Sequence, residues 1–112
     1  PKLLGEDSRD EASLVGFVRK IGSRQKPSAV TAALAALRDR PDAVDGLPSV
    51  KVPTLAIVGE HDVVTPPLTA ARIAAHVPGC ELVHIPRAGH LSNVENPGAF
   101  NQAVTAFMKK LM

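Results

Sequence analysis

The stretch that decides the fold class is Val52-Pro53-Thr54-Leu55-Ala56-Ile57-Val58-Gly59-Glu60-His61-Asp62. Residues 54–59 form an uninterrupted apolar run, with a proline before it and polar residues directly after it. Such a run is typical of a strand that is buried on both faces of a parallel sheet. The sequence therefore predicts an α/β protein in which Asp62 lies just beyond the carboxyl end of a strand.

Helix and strand signals alternate after this first strand. Thr65 is a candidate N-cap followed by two prolines, which predicts a helix that ends near His76. A second short strand is predicted over 81–85. Glu95 and Asn96 are predicted to serve the start of the last helix, where negative charge and an Asn cap are favoured. This order predicts a βαβ unit with a right-handed crossover and parallel strands.

The part of the chain before the first strand predicts two helices and a linker. Ser8 and Glu11 match the capping box, in which two side chains satisfy free amides at a helix start, so a helix is expected over 9–21. A second helix is predicted from Pro27 to just before Pro41, because the residue preceding a proline resists the α region. A loop or linker is predicted between this helix and the strand.

Composition excludes several classes of function. The 112 residues are 45% hydrophobic and 21% charged, as in an ordinary globular chain, and the formal net charge is only +2. Three Phe and no Trp or Tyr leave no basic face interleaved with aromatic rings, so nucleic acid is not an expected partner. The apolar stretches are shorter than the roughly 20 residues of a membrane helix, so no membrane partner is expected. A single cysteine fits a cytoplasmic location.

Asp62 and His90 are the candidate catalytic residues. Both are predicted to follow neighbouring parallel strands, whose carboxyl ends form the edge where α/β sheets bind and react with ligands. A carboxylate there can accept a hydrogen bond from one imidazole nitrogen, which leaves the other nitrogen free to remove a proton from a nucleophile. The pair predicts two members of a catalytic triad.

Other reactive side chains have simpler interpretations. His61 and His84 could be combined with His90 and Asp62 as zinc ligands, but their spacing matches no common zinc motif, so no metal is expected. Cys80 precedes a strand and is expected at the sheet edge opposite the candidate pair. A structural role is therefore predicted for this thiol.

Two motifs together resemble the C-terminal part of an α/β-hydrolase. The first is the stretch quoted above, and the second is Ile85-Pro86-Arg87-Ala88-Gly89-His90-Leu91-Ser92-Asn93-Val94-Glu95-Asn96-Pro97. In that family the G-x-x-D after a strand supplies the triad acid and a later G-H supplies the triad base. The second motif is most similar to small lactone and ester hydrolases such as 3-oxoadipate enol-lactonase. The resemblance implies that Asp62 is the acid and His90 the base.

The resemblance also implies a division of the chain. Residues 1–47 resemble the end of a lid domain plus linker, and residues 48–112 resemble the C-terminal β-α-β-α part of the hydrolase core. The nucleophile motif G-x-S-x-G and an oxyanion segment are absent from the 112 residues. The nucleophile is therefore expected in an N-terminal half that lies outside this sequence.

The expected function is that of a serine hydrolase portion acting on a small carboxylic ester or lactone, without a metal or organic cofactor. Its expected partner is the missing N-terminal half or another copy of the chain. The alternative is a non-catalytic hydrolase remnant that self-associates or binds a partner. A parallel sheet of two strands favours either form of association, because it cannot cover its own apolar faces.

Overall fold

Two parallel strands flanked by helices form the centre of the structure, a computed structural model that describes residues 2–112. The elements in chain order are α1 (Ala12–Ser23), α2 (Pro27–Asp39), a 3-10 helix (Val44–Ser49), β1 (Leu55–Gly59), α3 (Pro67–His76), β2 (Glu81–Ile85), α4 (Ser92–Glu95) and α5 (Pro97–Leu111).

The predicted βαβ unit is confirmed. β1 pairs with β2 in parallel, with Leu55 opposite Glu81 and Gly59 opposite Ile85, and α3 makes the crossover between them. Parallel strands need such a long connection, because the chain must return from the carboxyl end of one strand to the amino end of the next, at the opposite edge of the sheet. The loops that follow Gly59 and Ile85 consequently leave the sheet at the same edge.

The predicted capping box at the start of α1 is wrong. The helix begins at Ala12, with Glu11 as N-cap and no side-chain cap hydrogen bond. Ser8 is instead buried in a preceding turn, where its N–H and that of Arg9 both donate to the carbonyl of Gly5. The amides of Ser8 and Arg9 are thus bonded within this turn, so the capping box that the sequence predicts for them does not form.

The later helices agree more closely with the sequence. α2 has the predicted start and end, and the Asn96 side chain accepts from Ala99 N at the start of α5, as expected of an N-cap. Thr65 is not the cap of α3, because Pro66 occupies that position. The 3-10 helix within the predicted linker and the four-residue α4 were not predicted.

The hydrophobic core is small and lies around the two strands. Its buried apolar side chains are Leu4, Val58, Val77, Ile85 and Ala88. The apolar face of α2 is uncovered within the described residues, where Leu34 is 62% exposed and Leu37 is 65% exposed; α1 is partly covered but exposes Phe17 and Ile21. No helix in residues 2–112 is both long enough and apolar enough to cross a bilayer.

Candidate active site

The loop after β1 holds Asp62 by its own backbone. Oδ1 of Asp62 accepts from Val64 N at 2.8 Å and from Thr65 N at 2.9 Å, while Asp62 N donates to the carbonyl of Gly59 at 3.1 Å. An Asp in a turn commonly bonds amides two or three residues later. One carboxylate oxygen is therefore fixed locally, and the other points away from the turn.

The loop after β2 places His90 against the Asp62 loop. Nδ1 of His90 lies 2.9 Å from Oδ2 of Asp62, and the side chains are 34% and 5% exposed, respectively. The two residues that the sequence selected are thus in hydrogen-bond contact at the carboxyl edge of the sheet.

Thr65 completes a three-membered cluster that the sequence did not predict. Its hydroxyl donates to Oδ2 of Asp62 at 2.9 Å and lies 3.2 Å from Nδ1 of His90. The available signal was a hydroxyl residue three positions after a turn Asp. Without the fold, that signal predicts a helix cap.

The pKa of the Asp62 carboxyl is the net result of opposing effects. Burial raises the pKa, whereas the amide of Thr65, the ring of His90, the hydroxyl of Thr65 and the amide of Val64 lower it. The hydrogen bonds outweigh burial, and the pKa lies below its ordinary value of 3.8. Asp62 is therefore ionised at neutral pH.

An ionised Asp62 determines the tautomer of neutral His90. A carboxylate can only accept hydrogen bonds, so Nδ1 of His90 must carry the proton that it donates to Oδ2. Nε2 then carries the free lone pair. No group in residues 2–112 forms a hydrogen bond with Nε2, and this nitrogen can act as a base toward a group outside them.

Glu95 holds the His90 loop to the N-terminal segment. Its carboxylate accepts from Gly5 N at 2.7 Å, from Gly89 N at 2.9 Å and from Leu91 N at 3.2 Å. The backbone of His90 itself donates to the carbonyl of Leu3 at 3.0 Å. The predicted role of Glu95 at the start of the last helix is therefore wrong, because its acceptors serve the loop on either side of His90.

Two glycines allow these segments to approach closely. A Cβ at Gly59 would overlap the carbonyl oxygens of Ala88 and Gly89, and a Cβ at Gly89 would overlap the amide of Gly5. Only residues without a side chain fit between the end of β1, the His90 loop and the N-terminal segment. Gly59, three residues before Asp62, thus allows the two loops to touch, and Gly89, directly before His90, allows the His90 loop to touch the N-terminal segment.

A groove with a volume of about 360 Å³ runs from this cluster along β1. Its lining includes Asp62, Thr65 and His90 as well as the strand itself, together with Arg40 and Ile73. The side of β1 that faces away from β2 therefore opens toward the candidate pair.

The remaining candidate residues lie apart from this cluster. His61 faces Asp7, with 3.4 Å between Nδ1 and Oδ2 but without hydrogen-bond geometry, and His84 is exposed on β2. Cys80 is partly buried at the amino end of β2, at the opposite edge of the sheet from His90. No three potential metal ligands come together in the described part of the chain.

Comparison with known families decides the classification of this arrangement. The sequence model described as the alpha/beta hydrolase family matches residues 3–103. The chain belongs to the alpha/beta hydrolase family. The strand, acid and histidine motifs noted in the sequence all lie within the matched region.

Relatives within the alpha/beta hydrolase family include lactone and ester hydrolases. The chain is 33% identical to 3-oxoadipate enol-lactonase 2 of Acinetobacter baylyi over 105 residues, which are 94% of this chain and 38% of that protein. A thermophilic esterase from Thermogutta terrifontis aligns with a TM-score of 0.92 and 33% identity, over 98% of this chain and 41% of the esterase. The enol-lactonase from Burkholderia xenovorans aligns with a TM-score of 0.88 and 26% identity, over 97% of this chain and 42% of the enol-lactonase. The chain thus spans well under half the length of these hydrolases.

Proposed function

We propose that this chain supplies the acid, Asp62, and the base, His90, of a serine hydrolase that cleaves a carboxylic ester or lactone. The observation that carries the proposal is the 2.9 Å contact between Nδ1 of His90 and Oδ2 of Asp62. That contact presents Nε2 as a base. The substrate class follows from the esterase and enol-lactonases to which the chain is similar.

In this mechanism His90 transfers protons while Asp62 stabilises its charged form. Nε2 accepts the hydroxyl proton as the serine attacks the substrate carbonyl, and the resulting imidazolium is stabilised by the Asp62 carboxylate. His90 then gives the proton to the leaving oxygen, which produces an acyl-enzyme. It finally removes a proton from the water that attacks the acyl-enzyme, and returns this proton to the serine oxygen as the acyl bond breaks, so that the acid is released and both His90 and the serine are regenerated.

The serine itself must come from outside this sequence. The six serines of the chain lack the paired glycines of G-x-S-x-G; they are Ser8, Ser13, Ser23, Ser28, Ser49 and Ser92. Ser92 is close to His90 in sequence, but it is buried and begins α4. We therefore propose that a further polypeptide segment or a partner chain supplies the nucleophile. The term complete hydrolase denotes the assembly with that nucleophile.

Mass spectrometry of a purified preparation tests the composition of the complete hydrolase. Native and then denatured intact masses show whether the chain is joined to, or accompanied by, a nucleophile-bearing segment. A fluorophosphonate probe should label a serine in that segment. Only multiples of the present chain, with no labelling and no ester hydrolysis, would instead support the self-associating remnant.

Substitutions in the complete hydrolase test the two assigned roles. His90→Ala should lower kcat/KM for a p-nitrophenyl ester by about 10⁵-fold or more, because the proton acceptor is lost, and Asp62→Asn by about 10⁴-fold, because Asn cannot enforce the required tautomer. His84→Ala is the matched control, since His84 is exposed on β2 and away from the pair. Undiminished hydrolysis by the His90 variant would contradict the proposal.

A further inference from the structure

Thr65 makes hydrogen-bond contacts to both Asp62 and His90. Its Oγ1 lies 2.9 Å from Oδ2 of Asp62 and 3.2 Å from Nδ1 of His90, and the Nδ1–Oδ2 distance is also 2.9 Å. The three atoms form a nearly equilateral triangle. Oδ2 therefore receives two donors, one from the imidazole and one from the hydroxyl.

Apart from its bond to Asp62 in the same turn, the hydroxyl forms no local hydrogen bond in residues 2–112. The helix that follows has Pro66 as its N-cap, and no side chain caps it. The turn itself is closed through Oδ1 of Asp62, which binds the amides of Val64 and Thr65. Within residues 2–112 the Thr65 hydroxyl bonds only to the two candidate catalytic residues.

We propose that Thr65 is a positioning residue that orients Oδ2 of Asp62 toward His90 and limits how strongly this oxygen holds the imidazolium. The inference rests on the proposed function of the pair. Oδ1 is already fixed by the backbone, so the hydroxyl controls the one carboxylate oxygen that faces the base.

The direction of the effect follows from the two distances. The shorter contact is the donation to Oδ2, and a carboxylate oxygen that shares its charge with a second donor attracts a cation less. Loss of the hydroxyl leaves more negative charge for His90, so His90 should release its proton at higher pH. The other charged groups nearby are Glu95, which binds main-chain amides on either side of His90, and Arg40, which lines the groove.

Thr65→Val and Thr65→Ser separate the hydroxyl from the shape of the side chain. Valine keeps the branched shape and removes the hydroxyl, whereas serine keeps the hydroxyl. Thr105→Val on the exposed face of α5 is the matched control. The His90 titration is followed in the complete hydrolase by NMR of the imidazole C–H groups, assigned with His90→Ala, and by the pH profile of kcat/KM.

We expect the His90 midpoint and the acid limb of the profile to rise by about half a pH unit in Thr65→Val. Thr65→Ser and the control should stay within about 0.2 unit of the unsubstituted protein. An unshifted midpoint in Thr65→Val would overturn the inference, even if activity falls, because a purely structural role also lowers activity. An active His90→Ala variant would refute the proposed function itself, whatever Thr65→Val does.

Discussion

Asp62 illustrates how a buried carboxylate is kept charged in this fold. Its side chain is 5% exposed, and burial alone would favour the neutral acid. Two amides, a hydroxyl and an imidazole all donate to it, and each donation favours the carboxylate. The hydrogen bonds of the cluster therefore offset the loss of solvation, and Asp62 keeps the negative charge that attracts the donor of His90.

The depressed pKa of Asp62 predicts a specific dependence of stability on pH. A group with a lower pKa in the folded state stabilises the fold above its unfolded pKa of about 3.9 and loses that contribution as pH falls through the folded pKa. The complete hydrolase should therefore lose stability below about pH 4 more steeply than its Asp62→Asn variant. Urea unfolding at a series of pH values measures this difference. An Asp62 carboxyl that titrates at or above its ordinary pKa in ¹³C NMR would contradict the prediction.

The role of a residue can be predicted from the sequence where the local pattern around it fixes its place in the fold. Asp62 and His90 were found because each follows a recognisable strand, and parallel strands bring their carboxyl ends together. The local sequence predicts helix-start roles for Thr65 and Glu95, because a hydroxyl or carboxylate near a proline fits that role. Thr65 binds Asp62 within its own turn but also contacts His90, 25 residues away, and Glu95 binds Gly5, 90 residues away. Only the folded chain reveals such contacts.

At the level of elements, the His90 loop is held by other segments as much as by its own turn. The Glu95 carboxylate joins that loop to the N-terminal segment, and Gly59 and Gly89 allow the backbones to touch. Apolar runs and prolines in the sequence predict the strands and the long helices of the structure. They do not predict the start of α1. There Gly5 binds Glu95 through its amide and the following turn through its carbonyl, and this turn replaces the predicted capping box.

Glu95→Gln should loosen this connection. A glutamine has one acceptor oxygen, so its amide group would face main-chain donors that the carboxylate now satisfies. We expect the free energy of unfolding of the complete hydrolase to fall by about 1–3 kcal/mol. Hydrogen exchange at the amides of Gly5, Gly89 and Leu91 should become faster. Glu11→Gln, at an exposed position, is the control. Unchanged exchange at all three amides would show that Glu95 does not hold the loop.

At the level of the whole molecule, residues 2–112 expose more large apolar side chains than they fully bury. In residues 2–112 five apolar residues are buried, whereas fourteen large apolar residues are exposed. The radius of gyration is 15.8 Å, against about 13 Å for a compact domain of this length. Apolar area of this extent normally lies in an interface. We therefore expect α1, α2 and the open side of β1 to be covered by a nucleophile-bearing segment or by another copy.

This expectation predicts how the 112-residue chain behaves alone. It should associate in a concentration-dependent way in sedimentation experiments, because the apolar face of α2 is left in water. Leu34→Ser combined with Leu37→Ser should weaken the association about tenfold or more, since each exchange removes apolar area worth over 1 kcal/mol. Ala32→Ser, also exposed on α2, is the matched control. A monomeric chain that unfolds in one sharp two-state transition would show instead that the small core around β1 and β2 is sufficient by itself.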